Sequence, residues 1–175
     1  MNYSAIKEFD VADGPGVRVS LFVSGCTHHC PGCFNASTWD FDSGEPYTEE
    51  VQESILKAMS PEHIQGITVL GGEPFEPENR FCVLELIKEV RSRFPEKDVW
   101  CYSGYTFEEM LKWIDEGRTE VRELLENIDI LVDGEFVMAK KDITLQFRGS
   151  SNQRILKASE SVKAGKPIFW EELKK

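Results

Sequence analysis

Three cysteines follow a short apolar run near the start of the sequence, in the segment GCTHHCPGCFN at residues 25–35. Cys26, Cys30 and Cys33 lie within eight positions, and no fourth cysteine is close to them. Closely spaced thiols suit metal chemistry, because thiolates bind zinc ions and iron–sulfur clusters. A closed structural metal site takes four ligands. The segment therefore offers three ligands and leaves the fourth open.

Several chemistries fit these thiols. A zinc ion would need His28, His29 or a distant cysteine as its fourth ligand, and the usual second cysteine pair is missing. A thioredoxin-like redox site needs only CPGC, at residues 30–33, which leaves Cys26 without a role. An iron–sulfur cubane held by three thiolates keeps one iron free for an exchangeable ligand. The spacing favours the cubane, and the alternatives stay open.

The neighbouring thiols and imidazoles are predicted to be structural or solvated. Cys82 lies in the apolar helical pattern RFCVLELI and Cys101 in the strand-like VWCYS, so we interpret both as small buried hydrophobes. His28 and His29 lie between the candidate ligands, and we expect both rings to be exposed to solvent.

A second candidate segment, GGEP at residues 71–74, follows the next strand-like run. Two adjacent glycines allow the backbone to approach a ligand. Taken alone, the tetrapeptide is equally typical of a turn between a strand and a helix. Because it follows the cysteines by one helix and one strand, we interpret it as part of the same site.

The elements that must position these segments alternate along the chain. Strand-like runs are expected at residues 17–25, 66–70, 98–102 and 129–133. Helical spacing is found at residues 48–59, 79–94, 106–117 and 121–128. This order is typical of parallel strands joined by right-handed crossovers, with functional loops at the carboxyl ends of the strands. After residue 140, ITLQF and QRILKA are expected as short strands, and KPIFWEELKK as a terminal strand or helix.

Composition limits the class of protein. A chain of 175 residues is large enough for one domain, which we predict to span residues 1–175. A net charge of -11 argues against a nucleic-acid partner. No window approaches the roughly 18 apolar residues of a membrane span, and the first ten residues lack an export signal. We therefore expect a cytoplasmic protein without a membrane partner, whose five cysteines stay reduced.

The cysteine spacing resembles the C-x-x-x-C-x-x-C motif of the radical S-adenosylmethionine superfamily. GGEP resembles that superfamily's motif for the methionyl end of the cofactor. The resemblance implies a 4Fe-4S cluster on Cys26, Cys30 and Cys33, with S-adenosyl-L-methionine on the open iron. One departure is Gly32, where an aromatic residue commonly precedes the third cysteine; here the aromatic residue, Phe34, follows it.

Five segments are similar to the family of activators of anaerobic ribonucleoside-triphosphate reductase: DGPGVR, CPGCFN, YSGY, DILVDGEF and RGSSNQRI. The last of them distinguishes this family from the longer activator of pyruvate formate-lyase. The resemblance implies an oxidoreductase that cleaves S-adenosyl-L-methionine reductively and abstracts hydrogen from a glycine in the large subunit of the reductase. The cluster and the cofactor carry this chemistry, so no catalytic acid or base is expected among the side chains.

The resemblance and the strand ends together give the expected cofactor contacts: Gly32, Cys33, Phe34, Asn35, Gly71, Gly72, Glu73, Pro74, Ser103 and Asp133. In DGPGVR we expect a turn, with Arg18 at the edge of the core or in contact with a partner. The polar segment from Arg148 to Gln153 is expected to face the reductase or the mouth of the site.

The chain is short for a full β/α barrel, which has about 250 residues. We therefore expect an α/β fold of the radical S-adenosylmethionine type, an incomplete parallel barrel whose open side admits a protein substrate. A flavodoxin or ferredoxin is the expected electron donor. The alternatives are an activator of another glycyl-radical enzyme, a non-enzymatic iron–sulfur electron carrier and a zinc-stabilised interaction module.

Overall fold

Strands and helices alternate along residues 1–171, the part of the chain that the computed structural model describes. The strands are β1 (Asn2–Asp10), β2 (Val17–Val23), β3 (Glu45–Pro46), β4 (Ile64–Gly71), β5 (Asp98–Ser103), β6 (Ile130–Asp133) and β7 (Arg154–Lys157). The α-helices are α1 (Glu49–Met59), α2 (Pro77–Arg93), α3 (Phe107–Asp115), α4 (Thr119–Asn127) and α5 (Ala158–Ala164). No helix within residues 1–171 is long and apolar enough to cross a membrane.

The strands form one sheet in the order β3-β1-β2-β4-β5-β6-β7. Its centre, β2, β4, β5 and β6, is parallel, and helices connect these strands along the chain. At the edges, β1, β3 and β7 pair in antiparallel fashion. The two end strands do not pair with each other, so the sheet stays open. The predicted α/β class with a largely parallel sheet is confirmed.

The two faces of the sheet have different surroundings, because successive side chains of a strand point to opposite sides. Val19, Ile67 and Val99 lie on one face and pack with apolar residues of the helices in the main core. Phe22 and Tyr102 alternate with that set and lie on the other face, where they line a cavity of about 560 Å³. One face thus supplies the core, and the other supplies space for a ligand.

Three parts of the chain differ from expectation. The strand expected first is the second, because residues 2–10 form β1. The expected strand ITLQF is a turn, since the Asp142 carboxylate accepts hydrogen bonds from the amide and hydroxyl of Thr144. QRILKA does contain β7, but α5 follows it directly. In KPIFWEELKK, Phe169 bridges to β7, whereas residues 172–175 lie outside the described part.

Candidate functional site

The carboxyl ends of the central strands open onto the cavity on the helix-free face. Cys26, Cys30 and Cys33 all line it, and so do Gly71–Glu73 at the end of β4 and Ser103 at the end of β5. The topology explains this convergence, because parallel neighbours end at the same edge of a sheet. Residues of both segments singled out in the sequence therefore contribute to one wall.

The loop after β4 comes very close to the cysteine loop. The amide of Gly72 donates to the Val23 carbonyl at 2.9 Å, and the amide of Glu73 donates to the Gly25 carbonyl at 2.7 Å. A Cβ on Gly72 would lie 2.5 Å from the Gly25 carbonyl oxygen, and Gly71 has a φ of +112° that favours glycine. Both glycines are therefore required by backbone packing at this point.

Glu73 is buried and joins three loops through its carboxylate. Oε1 accepts a hydrogen bond from the Gly104 amide at 2.7 Å, and Oε2 accepts one from the Phe75 amide at 2.8 Å. The Ser103 hydroxyl lies 2.9 Å from Oε2, and His28 Nε2 lies 3.0 Å from Oε1. Each oxygen thus has protein partners, so the carboxylate positions the loops around it.

His28 is not the solvated loop residue that the sequence suggested. Only 7% of its side chain is exposed, because the ring lies between Glu73 and Glu135 and packs against Tyr105 at 4.3 Å between centroids. Nδ1 lies 2.9 Å from the Glu135 carboxylate. Burial lowers the pKa of His28, but the two carboxylates outweigh it and raise this pKa to about 9. In contrast, His29 is exposed as expected and stacks on Trp39.

A second acidic residue, Glu76, holds the cysteine loop from the start of α2. Its Oε1 accepts hydrogen bonds from the Thr27 hydroxyl at 2.6 Å and from the Tyr105 hydroxyl at 3.2 Å. Asn79 adds two more bonds, donating to the carbonyls of Ser24 and Glu73, each at 3.0 Å. The cysteine loop is therefore tied to a helix end on both sides of Cys26.

The three thiols suit an iron–sulfur cluster. All of them are free, and burial raises the pKa of Cys30 and raises that of Cys26 to about 12. Such thiols become thiolates when they bind a metal cation. The indole nitrogen of Trp39, in the same wall, is buried without a partner among the described residues, and a cluster or cysteine sulfur would give it an acceptor.

A site for a single metal ion requires a different arrangement of ligands. Within residues 1–171, no three or more His, Cys, Asp or Glu side chains are grouped to hold one metal ion. Such a group is what the zinc alternative requires. A cubane has four irons and spreads its cysteine ligands over them, so it does not require the thiols to converge on one point.

Most of the expected cofactor contacts line the cavity: Cys33, Phe34, Asn35, Gly71, Gly72, Glu73 and Ser103. Gly32 and Pro74 do not line it, although both adjoin residues that do. Asp133 is also absent from the wall. Its carboxylate accepts hydrogen bonds from the Phe107 amide at 2.8 Å and from the Arg154 guanidinium, so it ties β7 to the start of α3.

Other residues of the wall were not singled out from the sequence. Phe136 packs against Phe34 at 5.2 Å between ring centroids, and Tyr102 donates its hydroxyl hydrogen to the Phe147 carbonyl at 2.6 Å. Phe136 lies in DILVDGEF and Tyr102 in YSGY, so the segments pointed to the right loops without identifying the side chains. Gly149 packs so closely that a Cβ there would lie 2.9 Å from the Phe34 ring.

The sequence matches the family described as 4Fe-4S single cluster domain over residues 12–156. Three relatives are named anaerobic ribonucleoside-triphosphate reductase-activating protein. That of Vibrio cholerae is 42% identical and aligns over 89% of this chain and 97% of its own length. That of Escherichia coli is 41% identical and aligns over 87% of this chain and 96% of its own length. That of Pasteurella multocida is 40% identical and aligns over 91% of this chain and 99% of its own length. The chain therefore belongs to the family of anaerobic ribonucleoside-triphosphate reductase-activating proteins.

Proposed function

We propose that this chain activates anaerobic ribonucleoside-triphosphate reductase in the cytoplasm. The reaction is reductive cleavage of S-adenosyl-L-methionine, followed by hydrogen abstraction from a glycine in the large subunit of the reductase. One observation carries the proposal: three free cysteine thiols and the Gly71–Gly72–Glu73 loop form one wall of one cavity. The family of the chain agrees with this reading of the geometry.

Each part of the wall has a role in this reaction. Cys26, Cys30 and Cys33 would hold the 4Fe-4S cluster, as three ligands for four irons. The cluster and the bound cofactor supply the one-electron chemistry that breaks the sulfur–carbon bond. Gly71 and Gly72 expose backbone to the methionyl end of the cofactor, while Phe34 and Asn35 border the place for its adenine.

The chain's remaining task is to position groups and to exclude water. Glu73 has partners for both oxygens and moves no proton; it fixes the β4 loop against Ser103 and the cysteine loop. Aromatic rings on the cavity wall, including Phe22 and Phe136, keep the surroundings apolar. An apolar, dry site protects a reactive species from side reactions until the target glycine arrives.

We also propose that the chain is a single domain, expected to span residues 1–175, and that it is an incomplete β/α barrel of the radical S-adenosylmethionine type whose open side faces the reductase. The open sheet with its helix-free face supports this reading. A flavodoxin or ferredoxin supplies the electron.

A stepwise anaerobic experiment tests the function. Reconstituted protein should contain iron and sulfide in near-equal amounts, and with a strong reductant it should cleave S-adenosyl-L-methionine to 5'-deoxyadenosine. Mixing with the reductase should then produce a glycyl-radical signal in electron paramagnetic resonance. Cleavage without a signal, together with activation of a pyruvate formate-lyase type enzyme, would favour that alternative. An intact cluster without cleavage would favour an electron carrier.

Cysteine variants test the ligand set. Cys26→Ala should lose the cluster, because two thiolates do not hold a cubane, and iron analysis would measure the loss. Cys82→Ala and Cys101→Ala are matched controls and should keep full iron content. Cys101 is fully buried in β5, as predicted, while Cys82 is half-buried in α2. Equal iron content in all three variants would rule out the proposed ligands.

Arg148 tests the segment expected to face the partner. Its side chain lines the cavity and donates to the Gln153 carbonyl at 2.5 Å. Arg148→Ala should weaken complex formation with the reductase or lower the yield of glycyl radical. If both stay at the level of the unaltered protein, the role proposed for this segment is lost.

A further inference from the structure

An exposed apolar rim borders the cavity on the side of the loop that follows β6. Three side chains form it: Phe34 is 66% exposed, Met138 is 51% exposed and Ile143 is 89% exposed. Phe34 and Ile143 line the cavity itself. Met138 covers Gly32, where a Cβ would lie 2.2 Å from the methionine Cε. Large exposed apolar side chains gathered around an opening indicate a binding surface.

The rim is basic, although the chain as a whole is acidic. Residues 138–148 contain Lys140, Lys141 and Arg148 and a single acidic residue, Asp142, in a protein of net charge -11. The other acidic residue of the loop after β6, Glu135, pairs with His28. Among residues 1–171, neither lysine forms an ion pair, and Lys141 Nζ lies 5.3 Å from the centre of the Phe34 ring. Unpaired lysines beside exposed apolar groups are available to a partner of opposite charge.

Hydrogen bonds of Gln153 and packing of Phe136 hold the loops that carry the rim. The Gln153 side chain accepts hydrogen bonds from the amides of Gly149 and Ser150 at 2.9 and 3.1 Å, and donates to the Gly134 carbonyl. Phe136 packs beneath Phe34. The rim therefore presents its apolar and basic groups from an ordered loop, which lowers the entropy cost of binding.

We propose that this rim docks an acidic segment of the reductase that also carries apolar side chains, and thereby brings the target glycine to the cavity. The inference rests on the proposed function and deepens it by naming the surface and the chemistry of its partner. Hydrogen abstraction from another protein's backbone requires that backbone to enter the cavity, and the rim borders the entrance. Lysines steer the acidic segment to it, and the apolar groups hold the segment once docked.

Two variants test the apolar and the charged parts separately. Ile143→Asp adds charge to the most exposed apolar position, and the double variant Lys140→Glu/Lys141→Glu reverses the charge of the rim. Both sites are exposed, so the fold should not change. Because Ile143 also lines the cavity, reductase-free cleavage of S-adenosyl-L-methionine is measured for each variant, and the yield of glycyl radical is compared per cofactor cleaved. The yield of glycyl radical at subsaturating reductase should fall at least about tenfold, and the salt dependence of reductase binding should weaken in the double variant.

Matched controls separate a local effect from a general one. Phe9→Asp adds the same charge at a side chain that is 71% exposed and stacks on His63, outside the cavity wall. Lys163→Glu/Lys166→Glu makes the same double reversal on and after α5, where both residues are exposed. Both controls should activate the reductase as the unaltered chain does.

The outcomes are distinct. Full activation by both rim variants would overturn the docking surface while leaving the proposed function intact. If the unaltered chain cleaves the cofactor but never yields a glycyl radical in the reductase, the proposed function itself fails. Size-exclusion chromatography adds a third outcome: loss of self-association in Ile143→Asp with full activation would assign the rim to a second copy of the chain and overturn the proposal.

A second inference rests on Trp39, whose buried indole nitrogen has no partner among the described residues. We infer that this N–H donates to a sulfur of the cluster or of its cysteine ligands. Trp39 lies in the same wall as Cys26 and Cys30, and the Cys26 amide donates to the Trp39 carbonyl at 3.0 Å. Hydrogen bonds to cluster sulfurs stabilise the reduced state and raise its potential.

The test uses the cluster-loaded chain without cofactor or reductase. Anaerobic potentiometric titration should give a lower midpoint potential for Trp39→Phe than for the unaltered chain. Trp170→Phe is the control, because Trp170 packs against Trp100 outside the cavity wall and should leave the potential unchanged. Electron nuclear double resonance in heavy water should show an exchangeable proton near the cluster that Trp39→Phe lacks. An unchanged potential with this proton still present would overturn the inference.

Discussion

Glu73 is the residue at which the cysteine loop, the β4 loop and the β5 loop meet. Its carboxylate accepts a hydrogen bond from the Gly104 amide and lies within bonding distance of Ser103 and His28. An unpaired buried carboxylate would be costly, whereas one with several donors fixes the groups around it. The residue therefore joins loops that are distant in sequence into one wall, and its carboxylate contacts the cysteine loop through the side chain of His28.

His28 should set how firmly the cysteine loop is held. His28→Ala removes the hydrogen bonds to Glu73 and Glu135, while His28→Gln can keep one of them. We expect the lifetime of the reconstituted cluster under an iron chelator to decrease in the order unaltered chain, His28→Gln, His28→Ala. The loss of visible absorbance would measure it.

The control for His28 is its neighbour in the same loop. His29 has a positive φ of 50° and stacks on Trp39, and asparagine tolerates that backbone. His29→Asn should keep the cluster lifetime of the unaltered chain. A His28→Ala cluster that lasts equally long would show that the contacts of His28 do not hold the loop.

Asp13 should make the stability of the fold depend on pH near neutrality. Burial, then the hydrogen bond and charge of Asp10, raise the pKa of Asp13 to about 7, although Lys7 and Arg18 act in the opposite direction. An acid whose pKa rises on folding stabilises the folded state while protonated. That stabilisation is complete below the unfolded value of 3.8 and is lost as the pH rises through about 7.

Asp13→Asn isolates this effect, because asparagine stays neutral at every pH. Between about pH 5 and pH 8 the unaltered chain should lose about 1 kcal/mol of unfolding free energy relative to the variant, a value discounted for partial exposure. Urea unfolding at matched iron content would measure it, with Asp42→Asn as an exposed control. Parallel pH profiles for the unaltered chain and Asp13→Asn would contradict the shift.

The residues of the site differ in how far the sequence could predict them. The cysteine ligands and the adjacent glycines can be predicted from short segments, because residue type and spacing alone indicate a set of metal ligands and a backbone conformation that needs glycine. His28 is different, because its partner Glu135 is more than a hundred positions away and only the fold brings them together. Asp133 shows the reverse error: a strand end predicts proximity to the cavity, but its side chain points to Arg154.

At the scale of elements, burial decides what the sequence reveals. The central strand β2 is almost entirely buried and forms a continuous apolar run. Strand β1 lies between β2 and the two-residue edge strand β3; it is mostly exposed or half-buried, pairs with β2 through irregular register, and carries no such signal. Strand β7 is also an end strand of the sheet, but it is apolar at its centre and the sequence predicts it. An apolar pattern, rather than the position of a strand in the sheet, therefore decides whether the sequence reveals it.

The junction between β4 and the loop after it should depend on Gly71. Its φ is +112°, and a Cβ there would lie 2.8 Å from backbone atoms of Val23 in β2, which cannot move away. Gly71→Ala should therefore lower the iron content of the reconstituted chain. It should also lower the unfolding free energy by more than the roughly 1–2 kcal/mol that the left-handed backbone conformation alone costs. Iron analysis and urea unfolding would measure the two effects.

Gly117 supplies the control for the backbone cost. Its φ is +95°, and a Cβ there would meet nothing within 4 Å. Gly117→Ala should cost about 1 kcal/mol and leave the cluster intact. Equal effects of the two substitutions would mean that conformation alone, and not the close approach of β2 and β4, explains the need for glycine at position 71.

At the scale of the whole molecule, the sheet has a covered face and an open one. Helices bury the first, and the second carries the cavity, so it lacks a packed apolar core along its full length. Arg18 on β2 stabilises the open face at the end of the sheet away from the cysteines. It is fully buried, forms an ion pair with Asp98 of β5, and donates to Thr68 of β4 and to the Pro15 carbonyl. The expectation of a core-edge position is thus replaced by a buried one.

Arg18→Ala should destabilise the whole fold without altering the chemistry at the opposite end. The substitution leaves the buried partners of Arg18 unpaired, which should cost about 3–5 kcal/mol of unfolding free energy. Asp98→Asn is the comparison: Asp98 is 28% exposed, and its loss keeps the bonds to Thr68 and Pro15, so about 1 kcal/mol is expected. Cleavage of S-adenosyl-L-methionine per iron should stay unchanged in both at low temperature. An equal loss of stability in the two variants would show that the ion pair alone, rather than the bonds linking three parts of the sheet, holds the open face together.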